Sequence, residues 1–265
     1  MTERASKMSA RVCAPNIACS NCNLRGLCLP LMMQDDELQR LDDLVESRRH
    51  VKRGQALFRT GDPFDAVYAI RSGFFKTRLS SKDGQEQVTG FQMAGEVLGL
   101  DGISNDTHQC DAVALEDSQV CVIRYDQLEI LGREFGDLQR QFHKVMSQQI
   151  VNDHAVMQLL GSRRAEERLA AFVLDLTHRL RSRGFSSSSL VLRMTREEIG
   201  TYLGLTLETV SRCFSRLQDD GVLTVNRRHI TVLDPAALAR IAQGPESALD
   251  EGTLDHVPAR LSQTG

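Results

Sequence analysis

The sequence predicts an α+β chain: an antiparallel β-roll joined by one long helix to a helix-turn-helix that carries a β wing. Three observations predict it. Short apolar or alternating runs between residues 51 and 126 are cut by Gly54, Gly61, Gly73, Gly84, Gly90, Gly95 and Gly99, the rhythm of closely spaced antiparallel strands. Phe142, Met146, Ile150, Asp153, Met157 and Leu160 step by 4, 4, 3, 4 and 3 residues, one stripe along a helix. Gly200, Gly204 and Val210 then meet three separate geometric demands of a helix-turn-helix in a single register.

Bulk properties bound the reading. At 265 residues the chain suffices for about two domains. Its 41% hydrophobic and 25% charged residues are those of an ordinary globular protein. No apolar run approaches the roughly 20 residues of a membrane helix, so no membrane partner is expected. The first thirty residues lack the compact apolar stretch of a secretory leader, and the expected location is the cytoplasm. The net charge of −3 rules out a chain-wide basic field but not a local one. Arg163, Arg164, Arg168, Arg179, Arg181 and Arg183 face only Glu166, Glu167 and Asp175 in that stretch, which reads either as a phosphate-facing patch or as a solvated helix face.

Taken in order, residues 1–18 are polar and a cysteine group follows. From Asp35 to Arg49, Leu38, Leu41, Leu44 and Val45 have helical spacing and predict an amphipathic helix. The β-roll comes next. The stripe after Leu128 is too apolar to stand exposed, so the long helix requires a partner helix. Ser162 to about Arg183 predicts another helix, closed by Gly184 and the loop Ser186–Ser189. The chain divides as 1–30 cysteine segment, 31–136 β-roll domain, 137–162 long helix, 163–235 winged helix-turn-helix and 236–265 polar tail.

Thr195 and Glu198 form a capping box that starts a helix. Gly200 stands where two helices cross too closely for a side chain, and Gly204 where the turn needs positive φ. Ile199, Leu203, Leu205 and Val210 supply the core between the helices, and Thr206 caps the second one. Val222–Val225 and Ile230–Leu233 flank a polar turn and make the wing. A second helix of this kind enters the major groove of double-stranded DNA by its first turns. Arg212 forks onto guanine O6 and N7, Glu208 accepts from cytosine N4, and Ser211 supports them. The competing reading of Glu208 is a charge favouring the helix dipole. Cys213 falls at a core-facing position and reads as a small hydrophobe.

Seven cysteines in a reducing compartment suggest metal rather than disulfides. Cys19-x2-Cys22-x5-Cys28 sets three thiolates in one loop. A cubane iron–sulfur cluster needs four, and Cys13, Cys110 and Cys121 compete for the fourth place. Zinc competes for the same loop, as does a set of bare redox thiols. Between Cys13 and Pro30 the only charge is Arg25, which suits a centre with negative charge of its own. Leu27 beside Cys28 either shields such a centre or simply packs. The chain is not expected to be an enzyme: no phosphate-binding glycine loop or nucleophile motif accompanies the scattered histidines.

This order of parts, with Glu208-Thr-Val-Ser211-Arg212 on the reading helix and the runs Ala165–Phe172 and Ile199–Leu205, resembles FNR, the oxygen-sensing branch of the catabolite-activator (CRP/FNR) superfamily. The similarity runs from about Cys19 to Leu233. It implies a cyclic-nucleotide-binding-like β-roll and a [4Fe–4S] cluster on Cys19, Cys22, Cys28 and Cys121, leaving Cys13 and Cys110 spare. It also implies base reading by Glu208, Ser211 and Arg212 at palindromic TTGAT-like half-sites, a homodimer while the cluster is intact, and loss of binding in oxygen. RNA polymerase is the further partner implied, through the Lys82–Gln87 turn. The alternative is a cyclic-nucleotide- or zinc-dependent regulator of the same fold. The nucleotide cradle needs an arginine and a small hydroxyl residue after Gly95-Glu96, where Gln109-Cys110 stand instead. In a parallel dimer Asp153 would lie near its own copy and weaken the seam that Ile150, one turn earlier, supports. Otherwise Asp153 points to solvent or pairs with an arginine.

Overall fold

A computed structural model describes residues 19, 22, 24, 27, 28, 40, 45–80, 83–162 and 164–244. Of the helix expected over Asp35–Arg49, Leu38, Leu41 and Leu44 lie outside the described residues, as does Cys13. Val45–Val51 instead form strand β1, paired antiparallel with the later strand Ser118–Arg124 from Val45↔Ile123 to Val51↔Ser118. An open sheet edge takes up the backbone groups of this segment, and that pairing overrides its local helical spacing.

The roll continues through β2 (Ala56–Phe58), β3 (Ala66–Ser72), β4 (Phe74–Ser80), β5 (Glu86–Met93), β6 (Val97–Leu98), β7 (Asp111–Ala114) and β8 (Ser118–Arg124). They form two four-stranded sheets, β1-β8-β3-β6 and β2-β7-β4-β5, enclosing Leu57, Ile70, Phe75 and Val120. The sharp β3–β4 turn depends on Gly73: φ is +96° there, and a Cβ would fall 2.0 Å from Ser118 Oγ.

Helix α1 (Tyr125–Glu134) leads into α2 (Gly136–Ser162), which is 27 residues long. Leu138 and Phe142 at its start are buried with Phe64, Val67, Ile123 and Leu128. Further along, the stripe leaves the chain's own core: Ile150 is 56% and Met157 60% exposed. No helix among the described residues is long and apolar enough to cross a membrane.

The last part comprises α3 (Ala165–Arg181), β9 (Ser189–Val191), α4 (Arg196–Leu203), α5 (Leu207–Asp219), β10 (Leu223–Asn226), β11 (His229–Val232) and α6 (Pro235–Gln243). The wing has three strands, ordered β10-β11-β9, because the segment after the serine loop joins it. Residues expected as a polar tail open with α6, where Asp234 accepts the Ala237 N–H at 2.8 Å and Leu238 and Ala242 are buried. The Asp-Pro start and the spacing of Leu238, Ile241 and Ala242 carry the signal for this helix. One core joins both halves of the molecule: Phe91 of β5 stacks edge-on against Phe172 and Tyr202, with centroids 5.9 and 5.1 Å away.

Candidate nucleic-acid interface and cysteine centre

The turn between α4 and α5 is built as its residue types require. The Thr195 hydroxyl accepts the Glu198 N–H at 3.1 Å, and the Glu198 carboxylate accepts the Thr195 N–H at 2.7 Å. A Cβ on Gly200 would sit 2.6 Å from the Leu205 carbonyl oxygen. Gly204 closes α4 at φ +63°, and the Thr206 hydroxyl accepts the Thr209 N–H at 3.2 Å. Val210 and Cys213 are buried between the helices.

Glu208 and Arg212 are exposed one turn apart at the start of α5, with Ser211 half-buried beside them. The exposed face thus presents one carboxylate and one guanidinium, a pair able to read both partners of a G·C pair. Two arginines support this face through contacts that the sequence does not reveal. Arg168 of α3 donates to the carbonyls of Leu160 and Leu203, at 2.8 and 3.0 Å, joining the end of the long helix to the end of α4. Arg196 stacks 3.6 Å over the Phe214 ring, and desolvation lowers its pKa to about 10. Only the position of Arg196 at the helix start was legible; the contacts of Arg168 are long-range and leave no local trace.

The arginine patch from 163 to 183 does not act as one surface. Arg163 lies outside the described residues. Arg179 and Arg183 turn toward the roll and pair with Glu96 at 2.7 and 2.6 Å. Both guanidiniums thus converge on the one carboxylate of the Gly95-Glu96 turn. In the Lys82–Gln87 turn, Lys82 is outside the described residues and Asp83 to Gln87 are exposed. Glu86 pairs with Arg78, and the Gln87 amide donates to the Thr201 carbonyl.

Outside the helix-turn-helix, the described cysteines fall into two groups. Cys121 lies on β8, the second strand of its sheet, between Arg48 and Ala69. Cys19, Cys28 and Cys121 all rest, half-buried, against the apolar cluster around Val67, Ala69 and Ile123. The loop folds on itself: the Cys22 N–H donates to the Cys19 carbonyl at 3.1 Å, and the Cys28 N–H to the Leu24 carbonyl at 3.0 Å. Burial pushes the Cys121 thiol up, Arg48 pulls it down, and Cys22 adds to the rise. Cys110 lies in the other core, beside Ile70 and Phe75, with its Sγ 3.5 Å from Asp101 Oδ2. Among the described residues no three His, Cys, Asp or Glu groups are placed to hold a single metal ion. Three thiols against one apolar cluster, with Cys22, Arg48 and Arg71 near enough to act on Cys121, fit a centre with all-thiolate ligands and net negative charge.

An antiparallel roll joined by a long helix to a winged helix-turn-helix defines a DNA-binding transcription regulator rather than an enzyme. Residues 48–134 match the cyclic nucleotide-binding domain family, and residues 167–241 match the Crp-like helix-turn-helix domain family. The chain belongs to the FNR/Anr family of the CRP/FNR superfamily. It is 46% identical to the transcriptional regulatory protein btr of Bordetella pertussis, over 86% of this chain and 94% of the relative. The fumarate and nitrate reduction regulatory protein of Yersinia pestis is 43% identical over 88% of this chain and 93% of its own length. Among solved structures, FixK2 from Bradyrhizobium japonicum superposes with a TM-score of 0.68 at 29% identity, over 73% of this chain and 95% of that one.

Proposed function

We propose that this protein is a cytoplasmic, oxygen-responsive transcription regulator in which Cys19, Cys22, Cys28 and Cys121 hold a [4Fe–4S] cluster. The observation that carries this reading is the partition of the cysteines: Cys121 shares an apolar cluster with Cys19 and Cys28, whereas Cys110 packs, half-buried, against a different one. The chemistry a bound cluster supplies is its sensitivity to oxygen. The four thiols tie the cysteine loop to β8, and loss of that tie frees the loop from the sheet that supports α1 and α2. The intact form is a homodimer through α2, with Ile150 and Asp153 in the seam. Each subunit presents Glu208, Ser211 and Arg212 to one TTGAT-like half-site of a palindrome. The exposed turn ending at Gln87 is the surface offered to RNA polymerase.

The cyclic-nucleotide reading is disfavoured by the double clamp on Glu96. Anaerobic purification tests the cluster against zinc. A brown protein with matched iron and acid-labile sulfide is expected, and a colourless, zinc-loaded protein would overturn the proposal. Cys121→Ala is expected to lose the cluster and Cys110→Ala to keep it; the opposite pattern would reassign the fourth ligand.

A further inference from the structure

The Gly95-Glu96 turn connects three parts of the molecule that are distant in sequence. Its own position is fixed by β3, since the Gly95 N–H donates to the Ile70 carbonyl and the Ile70 N–H to the Glu96 carbonyl, both at 2.8 Å. The Glu96 side chain then reaches across to α3. Its Oε1 and Oε2 accept Arg179 Nε and Nη2 at 3.1 and 2.7 Å, and Oε1 also accepts Arg183 Nη2 at 2.6 Å. The two guanidiniums use further donors on the backbone of the roll, on Phe91 O at 2.6 Å and Ala94 O at 2.5 Å. Arg183 has only 7% of its side chain exposed, and the half-buried Arg179 makes a fork-shaped contact with a defined geometry. On its other side the turn rests on the cysteine loop, because a Cβ on Gly95 would lie 3.0 Å from Leu27 Cβ. Leu27 precedes Cys28.

We propose that Glu96 is a positioning residue for DNA reading, holding the helix-turn-helix domain at a set angle to the roll through Arg179 and Arg183 while its turn rests on the cysteine loop. A palindrome is read by two helices at once, and its half-sites lie one helical turn apart. A dimer selects the correct spacing only if each reading domain is held rigidly on the body that carries the dimer helix. A loose domain reaches wrong spacings as readily as right ones and spends binding energy on ordering itself. The Phe91–Tyr202 packing supplies adhesion without direction, whereas the bidentate Glu96–Arg179 contact supplies direction. Contact with Leu27 gives the cysteine loop a route to the reading domain inside one subunit, additional to dimerisation. That part rests on the cluster reading given above.

The test compares the cluster-loaded parent with Glu96→Gln and Arg179→Gln on palindromic duplexes of correct spacing and with one base pair added or removed. Both variants are expected to keep iron, sulfide and the dimer, measured by analysis and sedimentation. Their preference for the correct spacing is expected to fall about tenfold. A general loss of folding lowers all three affinities together and leaves the ratio unchanged, and that result would overturn the proposal, as would variants that discriminate like the parent. In the cluster-free chain, hydrogen exchange at His178–Arg183 is expected to rise in Glu96→Gln; unchanged protection there also counts against the clamp. A parent without any cluster or palindrome binding would refute the function proposed above, an outcome distinct from either of these.

Discussion

Lys76 donates to Glu198 Oε1 at 2.7 Å, so the carboxylate that caps α4 also ties the helix-turn-helix to strand β4. Burial alone would raise the Glu198 carboxyl, but hydrogen bonds from Lys76 and the Thr195 N–H outweigh it and hold the group below its ordinary value of 4.5. A depressed carboxyl contributes stability above its unfolded pKa and loses it as pH falls through the folded one. Glu198→Gln is therefore expected to melt below the parent near neutrality. The gap should close as pH drops below 4.5. Thermal melts across that range check it, and a gap that widens in acid would contradict the assignment. Glu198→Ala, which also loses the cap, is expected to cost about 2 kcal/mol.

Gly200 leaves no room for a methyl group, since its added Cβ meets a backbone carbonyl at 2.6 Å. Backbone cannot swing aside as a side chain does, so Gly200→Ala must push α4 and α5 apart. A loss of about 3 kcal/mol is expected, together with weaker DNA binding, read by calorimetry and gel shift. Gly204→Asn should cost less, about 1 kcal/mol, because asparagine tolerates left-handed φ.

On the exposed face of α5, Arg212→Lys is expected to weaken binding by about 1–3 kcal/mol and to relax selectivity at one G·C pair. Glu208→Gln should relax the cytosine of that pair with a smaller loss. Binding to a panel of single-base variants distinguishes these from phosphate contacts, whose loss weakens every sequence alike.

Asp153 is exposed on α2 and accepts Gln149 Nε2 at 2.8 Å, one turn beyond the exposed Ile150. No arginine partner for it is present among the described residues. Set against its own copy in a dimer seam, the carboxylate repels and loses hydration. Asp153→Ala is expected to tighten self-association in air about tenfold by sedimentation. A variant no more dimeric than the parent removes Asp153 from the switch.

Cys110 is expected to be the inert thiol. Burial, then Asp101, push it well above the ordinary thiol range, which leaves almost no thiolate at neutral pH. Maleimide should modify it slowly in the folded, cluster-free protein and rapidly after unfolding, as followed by mass spectrometry.

The reading helix was legible in the sequence because its constraints are local. Capping, positive φ and a helix crossing act within a few residues, so Thr195, Gly200, Gly204 and Val210 carry them in any context. The glycine rhythm of the roll and the length of α2 are local in the same sense. What only the tertiary structure decided depends on partners far along the chain. Val45–Arg49 joined a sheet because β8 offered an open edge, against their own helical spacing. Arg179 and Arg183, which read as a surface patch, turned inward because Glu96 waits more than eighty residues earlier. Cys110 and Cys121, alike as candidates by spacing, pack against different apolar clusters. Propensity and turn chemistry act over one or two turns, whereas charge pairing and burial are settled by where the fold brings distant segments together.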